Sequence, residues 1–122
     1  MKVLKENSRT VCDVDGTLVV WPADYRTPGP GRIKFQYGPT SVYLLPHKAN
    51  IDFMKYCSYR GDFIEVWSKH KWAWAEVVIK TLGLKDYVDL VSSKPDRYID
   101  DKTDPNQVVG ENVFFPYNEK LK

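Results

Sequence analysis

Apolar and polar positions along this chain fall into blocks of two different periods. Residues 10–14, "TVCDV", run largely apolar into Gly16, and residues 17–20, "TLVV", resume before Trp21-Pro22. A short apolar run bounded by a turn residue predicts a buried strand. Residues 22–32, "PADYRTPGPGR", are too rich in Pro and Gly for a helix and predict a loop. In residues 32–46, "RIKFQYGPTSVYLLP", Ile33, Phe35 and Tyr37 alternate with polar positions, Gly38-Pro39 breaks the run, and Val42 to Leu45 return. That pattern predicts a hairpin. Residues 47–61 predict a helix with Asn50, Met54 and Cys57 near one side, a stripe broadened by Ile51, Phe53 and Tyr56, and Gly61 as its stop. Residues 62–68, "DFIEVWS", predict a strand. Residues 71–84, "KWAWAEVVIKTLGL", predict a second helix with Ala73, Val77, Lys80-Thr81 and Leu84 along its turns and a stop at Gly83. Short strands are predicted at 87–91, 97–100 and 112–116. The Asp-Pro at 104–105 predicts a helical turn over 104–109.

Strands that alternate with helices predict an α/β fold, Rossmann-like, with a central parallel sheet flanked by helices. In such sheets ligands gather at the carboxyl ends of the strands. The polar residues that interrupt the predicted strands sit at those ends: Asp13 and Asp15, then Ser68, then Asp100 and Asp101, with Lys94 after the third strand. Trp72 and Trp74 fall on roughly opposite sides of the second helix, so one is expected to cover the sheet and the other to face outward or meet a partner.

Composition narrows the class. A chain of 122 residues with 43% hydrophobic residues suits one globular domain, residues 1–122. Eighteen Lys and Arg against 16 Asp and Glu leave a net charge of +2, which gives no bulk electrostatic case for nucleic-acid binding but leaves a local basic patch open. Cys12 and Cys57 form no CxxC pattern and are expected as buried thiols, with no disulfide framework and no zinc site. The first residues carry no signal-peptide hydrophobic region, and no run approaches membrane-spanning length, so a cytoplasmic, soluble protein is expected.

Several carboxylates converging on one pocket need positive charge. A hard divalent cation of the Mg²⁺ kind, which takes carboxylate and carbonyl oxygens, together with Lys94, would supply it. Acids, a lysine and a hydroxyl around a cation suit a phosphate, and the reaction class that uses such a set is phosphoryl transfer. The order of these groups also resembles a family. "DVDGT" (13–17), "EVWS" (65–68), Lys94 and "YIDD" (98–101) resemble, in order, the four sequence motifs of the haloacid dehalogenase (HAD) superfamily of phosphatases.

The resemblance implies a role for each residue. Asp13 would be the nucleophile that forms an aspartyl-phosphate, and Asp15 the general acid and then base. Ser68 would donate to a phosphoryl oxygen. Lys94 would hold the phosphate and the nucleophile. Gly16 and Thr17 would shape the loop beside the substrate. Mg²⁺ would be held by Asp13, the backbone carbonyl of Asp15 and Asp101, with Asp100 bonding Lys94 or a metal-bound water. An acid at position 15 favours phosphate-ester hydrolysis over dehalogenation within that superfamily. Pro105 stands where many relatives carry a further acid, and only "PDRYI" separates Lys94 from Asp100, as in small, compact members that include capsule-biosynthesis phosphatases.

The resemblance also implies what is missing. Neither insertion point for a cap domain has room for one; the first holds only a β-hairpin flap, about residues 21–46. An open site suits a large phosphorylated substrate or a homo-oligomer in which a neighbour covers the pocket. Arg26, Arg32 and Lys34 in the flap and Lys69, His70 and Lys71 after Ser68 are either surface charge or guides for a nucleotide or polynucleotide-end phosphate. His70 is a candidate to touch the leaving group. His47 reads as a surface residue. Tyr25, Tyr37 and Tyr43 read as hairpin packing, with stacking on a base or sugar as the alternative. The functional alternatives are a sugar-phosphate phosphatase and, from another class, a binding module that keeps the fold without the chemistry.

Overall fold

The structure is a computed structural model that describes residues 8–101, 113 and 115–117. Its elements follow in the order β1 (Arg9–Asp13), β2 (Val19–Val20), β3 (Ile33–Tyr37), β4 (Thr40–Pro46), α1 (Lys48–Tyr59), β5 (Phe63–Ser68), α2 (Trp72–Thr81), a 3-10 turn (Lys85–Tyr87) and β6 (Leu90–Ser93). Strands β1, β5 and β6 form a three-stranded parallel sheet in the order β1-β5-β6, and β2, β4 and β3 form an antiparallel one in the order β2-β4-β3. The fold is therefore mixed α/β, with α1 packed on β5 and α2 on β3, β5 and β6.

Parallel pairing follows from the chain's periods. Ile64 and Val66 on β5 are fully buried, and Cys12 on β1 lies beside them. A strand so apolar is stable only when other elements cover it. The register runs from Arg9 opposite Phe63 to Asp13 opposite Trp67, and from Glu65 opposite Leu90 to Ser68 opposite Ser93. The carboxyl ends of all three strands thus line up along one edge.

The predicted hairpin forms as β3 and β4, paired from Ile33 opposite Leu44 to Tyr37 opposite Thr40. Its inward row, Phe35, Val42 and Leu44, belongs to the same hydrophobic cluster as Val14, Ile64 and Trp74. Both sheets therefore share one core. Truncating a fully buried ring such as Phe35 to Ala would cost about 3–5 kcal/mol.

Several expectations are corrected. The buried face of α2 is Trp74, Ala75, Val78 and Ile79, not the row through Ala73, Val77 and Lys80-Thr81. Two i,i+4 pairs make that face, and it turns Lys80 and Thr81 to water. His47 is buried rather than on the surface: it caps α1, with Nδ1 accepting from the Asn50 amide at 3.3 Å, and its ring lies 5.6 Å from that of Tyr117. The strand expected at 87–91 starts late. The 3-10 turn takes Tyr87, and Asp89 pairs with Ile64 through both its amide and its carboxylate before the ladder begins at Leu90.

Residues 97–100 form no strand. Tyr98 and Ile99, the apolar pair that suggested one, are exposed, and no neighbouring strand takes their backbone groups among the described residues. Residues 113, 115 and 116 likewise are not in a strand; the Phe115 amide donates to Asn50 Oδ1 at 3.2 Å instead. The helical turn expected over 104–109 lies outside the described residues. Both cysteines are free and buried, as expected. Among the described residues no helix is long and apolar enough to cross a membrane.

Candidate active site

Asp13 is the last residue of β1, and the chain turns sharply after it. The Val14 carbonyl accepts from the amides of Thr17, Leu18 and Val19, and the Gly16 amide donates to the Val19 carbonyl at 2.8 Å. Gly16 has φ +78°, so a side chain there would be strained even though a Cβ would meet nothing within 4 Å. From α1 the buried Asn50 donates through Nδ2 to the Thr17 carbonyl at 3.0 Å and so ties the turn to the helix. Asn50 counted in the sequence only as part of a helix face.

Ser68 ends β5 and is fully buried. Its Oγ accepts from the His70 amide at 3.0 Å, and its carbonyl accepts from the amides of Lys94 at 2.8 Å and Lys71 at 3.2 Å. One residue therefore joins the start of α2 to the end of β6. Lys71, the N-cap of α2, has φ +79°, the single positive φ outside glycine among the described residues. Strain of that kind persists only where surrounding bonds hold it. Here the tie to Ser68 fixes the backbone on both sides of His70.

Asp15 is gripped from three directions. Its Oδ1 accepts from the indole N–H of Trp21 at 2.7 Å and of Trp74 at 3.1 Å. Its Oδ2 lies 3.9 Å from His70 Nε2, an ion pair whenever the imidazole is protonated. With Oδ1 engaged by two donors, Oδ2 is the oxygen left facing His70. The two indoles contact each other at 5.8 Å between ring centres. Trp74 is 3% exposed and Trp72 is 55% exposed, which matches the opposite sides expected of them. Neither Trp21 nor Trp74 was predicted to touch the site: an indole in an apolar stretch reads as packing, and its N–H leaves no periodic signal.

The electrostatics of Asp13 differ. Burial pushes its carboxyl up from the ordinary aspartate value. The charge of Lys94, the Val14 amide and His70 pull it down, Asp15 adds to the rise, and burial prevails. The charge on Asp13 is thus incompletely balanced by the residues around it. Burial likewise pushes the neighbouring Cys12 thiol up to about 12, so it stays a thiol at neutral pH.

The structure brings together Asp13, Asp15, Gly16, Thr17, Ser68, His70 and Lys94 at the carboxyl edge. It does not bring Asp100 and Asp101 into a metal cage: both are exposed, in a segment with no strand. Among the described residues no group of three His, Cys, Asp or Glu is placed to hold a metal ion. The oxygen donors of Asp13 and Asp15 at the edge are of the hard type that Mg²⁺ takes.

The basic flap residues also sort themselves. Arg32 donates to Asp24 Oδ1 at 2.7 Å and to the carbonyls of Asp24 and Thr27, so it stitches the loop together. Arg26 lies over the Tyr25 ring. Lys69, His70 and Lys71 are exposed, and His70 lies against Asp15.

Compared with known proteins, the chain matches no protein-family model, no curated protein and no solved structure.

Proposed function

We propose that the chain is a phosphomonoester hydrolase that works through an aspartyl-phosphate, with a compact HAD-type core in which the β3–β4 hairpin serves as a flap in place of a cap domain. One observation carries the proposal. Asp13 and Ser68 end β1 and β5, and Lys94 directly follows the neighbouring β6, all on one edge of the parallel sheet, with Asp15 held two residues from Asp13. The sequence motifs that resemble that superfamily supply the same residues in the same order.

In this mechanism an Asp13 carboxylate oxygen attacks phosphorus while the bond from phosphorus to the ester oxygen breaks. Asp15, protonated on Oδ2, gives its proton to the departing alcohol. In the second half Asp15 takes a proton from water, the resulting hydroxide attacks phosphorus, and the bond to Asp13 breaks to release inorganic phosphate. Partial burial strips water from the Asp13 carboxylate, which favours attack. Lys94 places positive charge by the nucleophile and the incoming phosphate. Ser68 fixes the 68–71 turn that carries His70, and its hydroxyl hydrogen, the half not engaged by the His70 amide, is the part left to donate to a phosphoryl oxygen.

Mg²⁺ dependence is part of the proposal, though no step above runs through the ion. When bound it would supply positive charge to the phosphoryl oxygens, and Asp13 and the Asp15 carbonyl are the donors at the edge, with Asp101 and Asp100 the acids expected to join them. The test is hydrolysis of p-nitrophenyl phosphate with Mg²⁺ and with EDTA, beside Asp13→Asn. Turnover that needs Mg²⁺ and vanishes in Asp13→Asn is the expected result. Turnover unchanged in Asp13→Asn sinks the mechanism.

A further inference from the structure

The general acid marks where the leaving group sits. Proton transfer to the ester oxygen needs Asp15 within hydrogen-bond reach of it, about 2.6–3.2 Å. Whatever is esterified to that oxygen therefore runs along the side chains that surround Asp15. Those side chains are rings.

Trp21 and Trp74 both bond Asp15 Oδ1, so their positions relative to the acid are fixed. Tyr37, from the end of β3, lies 5.6 Å from Trp74 on ring centres, and Trp21 lies 5.8 Å from it. Trp74 is buried between its neighbours, while Trp21 is 38% and Tyr37 42% exposed. Two large exposed rings seated on a third, beside a candidate active site, are a concentration of apolar surface that points to a ligand.

The chemistry of this wall discriminates among esters. Both indole N–H groups are engaged by Asp15, so what the wall presents is ring surface. It offers π-faces, on which every nucleobase can stack. The wall extends from Asp15 across Trp74 to Tyr37. The exposed Lys69 and Lys71 flank in sequence His70, which lies against Asp15, and add positive charge that would meet the further phosphates of a phosphorylated strand.

We infer that Trp21, Trp74 and Tyr37 form a leaving-group subsite for a nucleoside, so that the substrate is a phosphate monoester whose alcohol carries a nucleobase. This inference rests on the proposed role of Asp15 as proton donor. The base stacks on the exposed Trp21 and Tyr37 rings, and Trp74 beneath them holds the wall to the acid.

Adenosine 5′-monophosphate and ribose 5-phosphate release the same kind of primary alcohol and differ in the base, so their kcat/KM values form the test, with p-nitrophenyl phosphate as the control for turnover. The nucleotide is expected to be at least tenfold better. Tyr37→Ala removes no group bonded to Asp15, but Tyr37 packs on Trp74, so it is read as the ratio of the two esters within the variant, and the nucleotide's advantage in kcat/KM is expected to fall about tenfold. Trp21→Ala is read as the ratio of the two esters within the variant, which cancels its effect on Asp15; the ratio should fall toward one. A 5′-phosphorylated oligonucleotide turned over faster than the mononucleotide identifies a polynucleotide end as the source of the base, and a slower one identifies the free nucleotide; either supports the subsite. Equal values for the two esters, or a preference that survives both variants, overturn the inference while p-nitrophenyl phosphate turnover leaves the hydrolase reading standing. If none of the phosphates is hydrolysed, that reading falls and the subsite with it.

Discussion

The two ends of the parallel sheet treat charge in opposite ways. At the amino-terminal end the two buried acids, Glu65 and Asp62, are both matched. Glu65 is buried between Arg9 and the Ser92 hydroxyl, which donates at 2.6 Å. Asp62 accepts from the Ser8 amide at 3.1 Å and the Thr10 hydroxyl at 3.2 Å and pairs with Arg60. Although burial alone would push Glu65 up, Ser92 and Arg9 hold it below the usual carboxylate range. At the carboxyl end burial prevails and Asp13 is raised. Both acids lie on neighbouring strands of one sheet. The difference is in what surrounds them, and it separates a carboxylate that fastens strands from one available for chemistry.

The largest effect that would break this comparison is on turnover. Asp13→Asn is expected to lower kcat/KM by about 10³-fold or more, whereas Glu65→Gln, measured where the protein is folded, should stay within about twofold. A loss of turnover in Glu65→Gln equal to that in Asp13→Asn would erase the distinction between the ends.

Next come the donors that hold Asp15. Trp21→Phe or Trp74→Phe keeps a ring and removes one N–H. Each is expected to cost about 10- to 100-fold in kcat, in line with about 1.5–3 kcal/mol for a hydrogen bond to a charged group. An unchanged kcat would mean that the indoles pack around Asp15 without positioning it for proton transfer.

Stability sharpens the contrast. Glu65→Ala is expected to lower unfolding free energy by about 1–2 kcal/mol; the loss is smaller than for a fully buried pair because Arg9 is largely exposed. The Glu65 carboxyl is lower in the folded protein than in the unfolded chain, so its contribution is present above the unfolded value, 4.5, and is lost as pH falls through the folded one. Urea denaturation between pH 7 and pH 3 should therefore show a Glu65-dependent decline that Glu65→Gln lacks.

The smallest effect has the opposite sign. The Asp13 carboxyl is raised in the folded protein, so below the unfolded value, 3.8, it costs nothing, and the cost appears as pH rises through the folded one. Asp13→Asn should raise stability at pH 7 by about 0.5–1 kcal/mol, discounted for a half-exposed carboxyl, and the gain should vanish near pH 3. A variant less stable than the parent at pH 7 would contradict a strained charge at this end.

The sequence made some of this contrast legible and hid the rest. The β1 run with Asp13 and Asp15, the hairpin at Gly38-Pro39 and the strand ending at Ser68 could be read because their apolar periods are local. The inward face of α2 was misread because the even distribution of apolar residues over 72–79 left its rotation to be set by packing on β3, β5 and β6. Residues 97–100 looked like a strand because Tyr98-Ile99 is β-prone, yet a strand exists only with a partner to take its hydrogen bonds. The indole grip on Asp15 joins residues from a loop and a helix far apart in the chain, and no local pattern encodes such a meeting. His47 was missed for a related reason: a polar residue at a helix start reads as solvated until something covers it.

The central claim is that Asp13 is the nucleophile, and trapping the intermediate tests it most directly. The protein is mixed with a turning-over phosphate ester, quenched in acid within milliseconds to seconds, digested and sequenced by mass spectrometry. A single phosphoryl group on the Asp13 carboxylate, absent in Asp13→Asn, is the predicted result. A phosphoryl group on His70 or Ser68, or steady turnover with no label on Asp13, would contradict it.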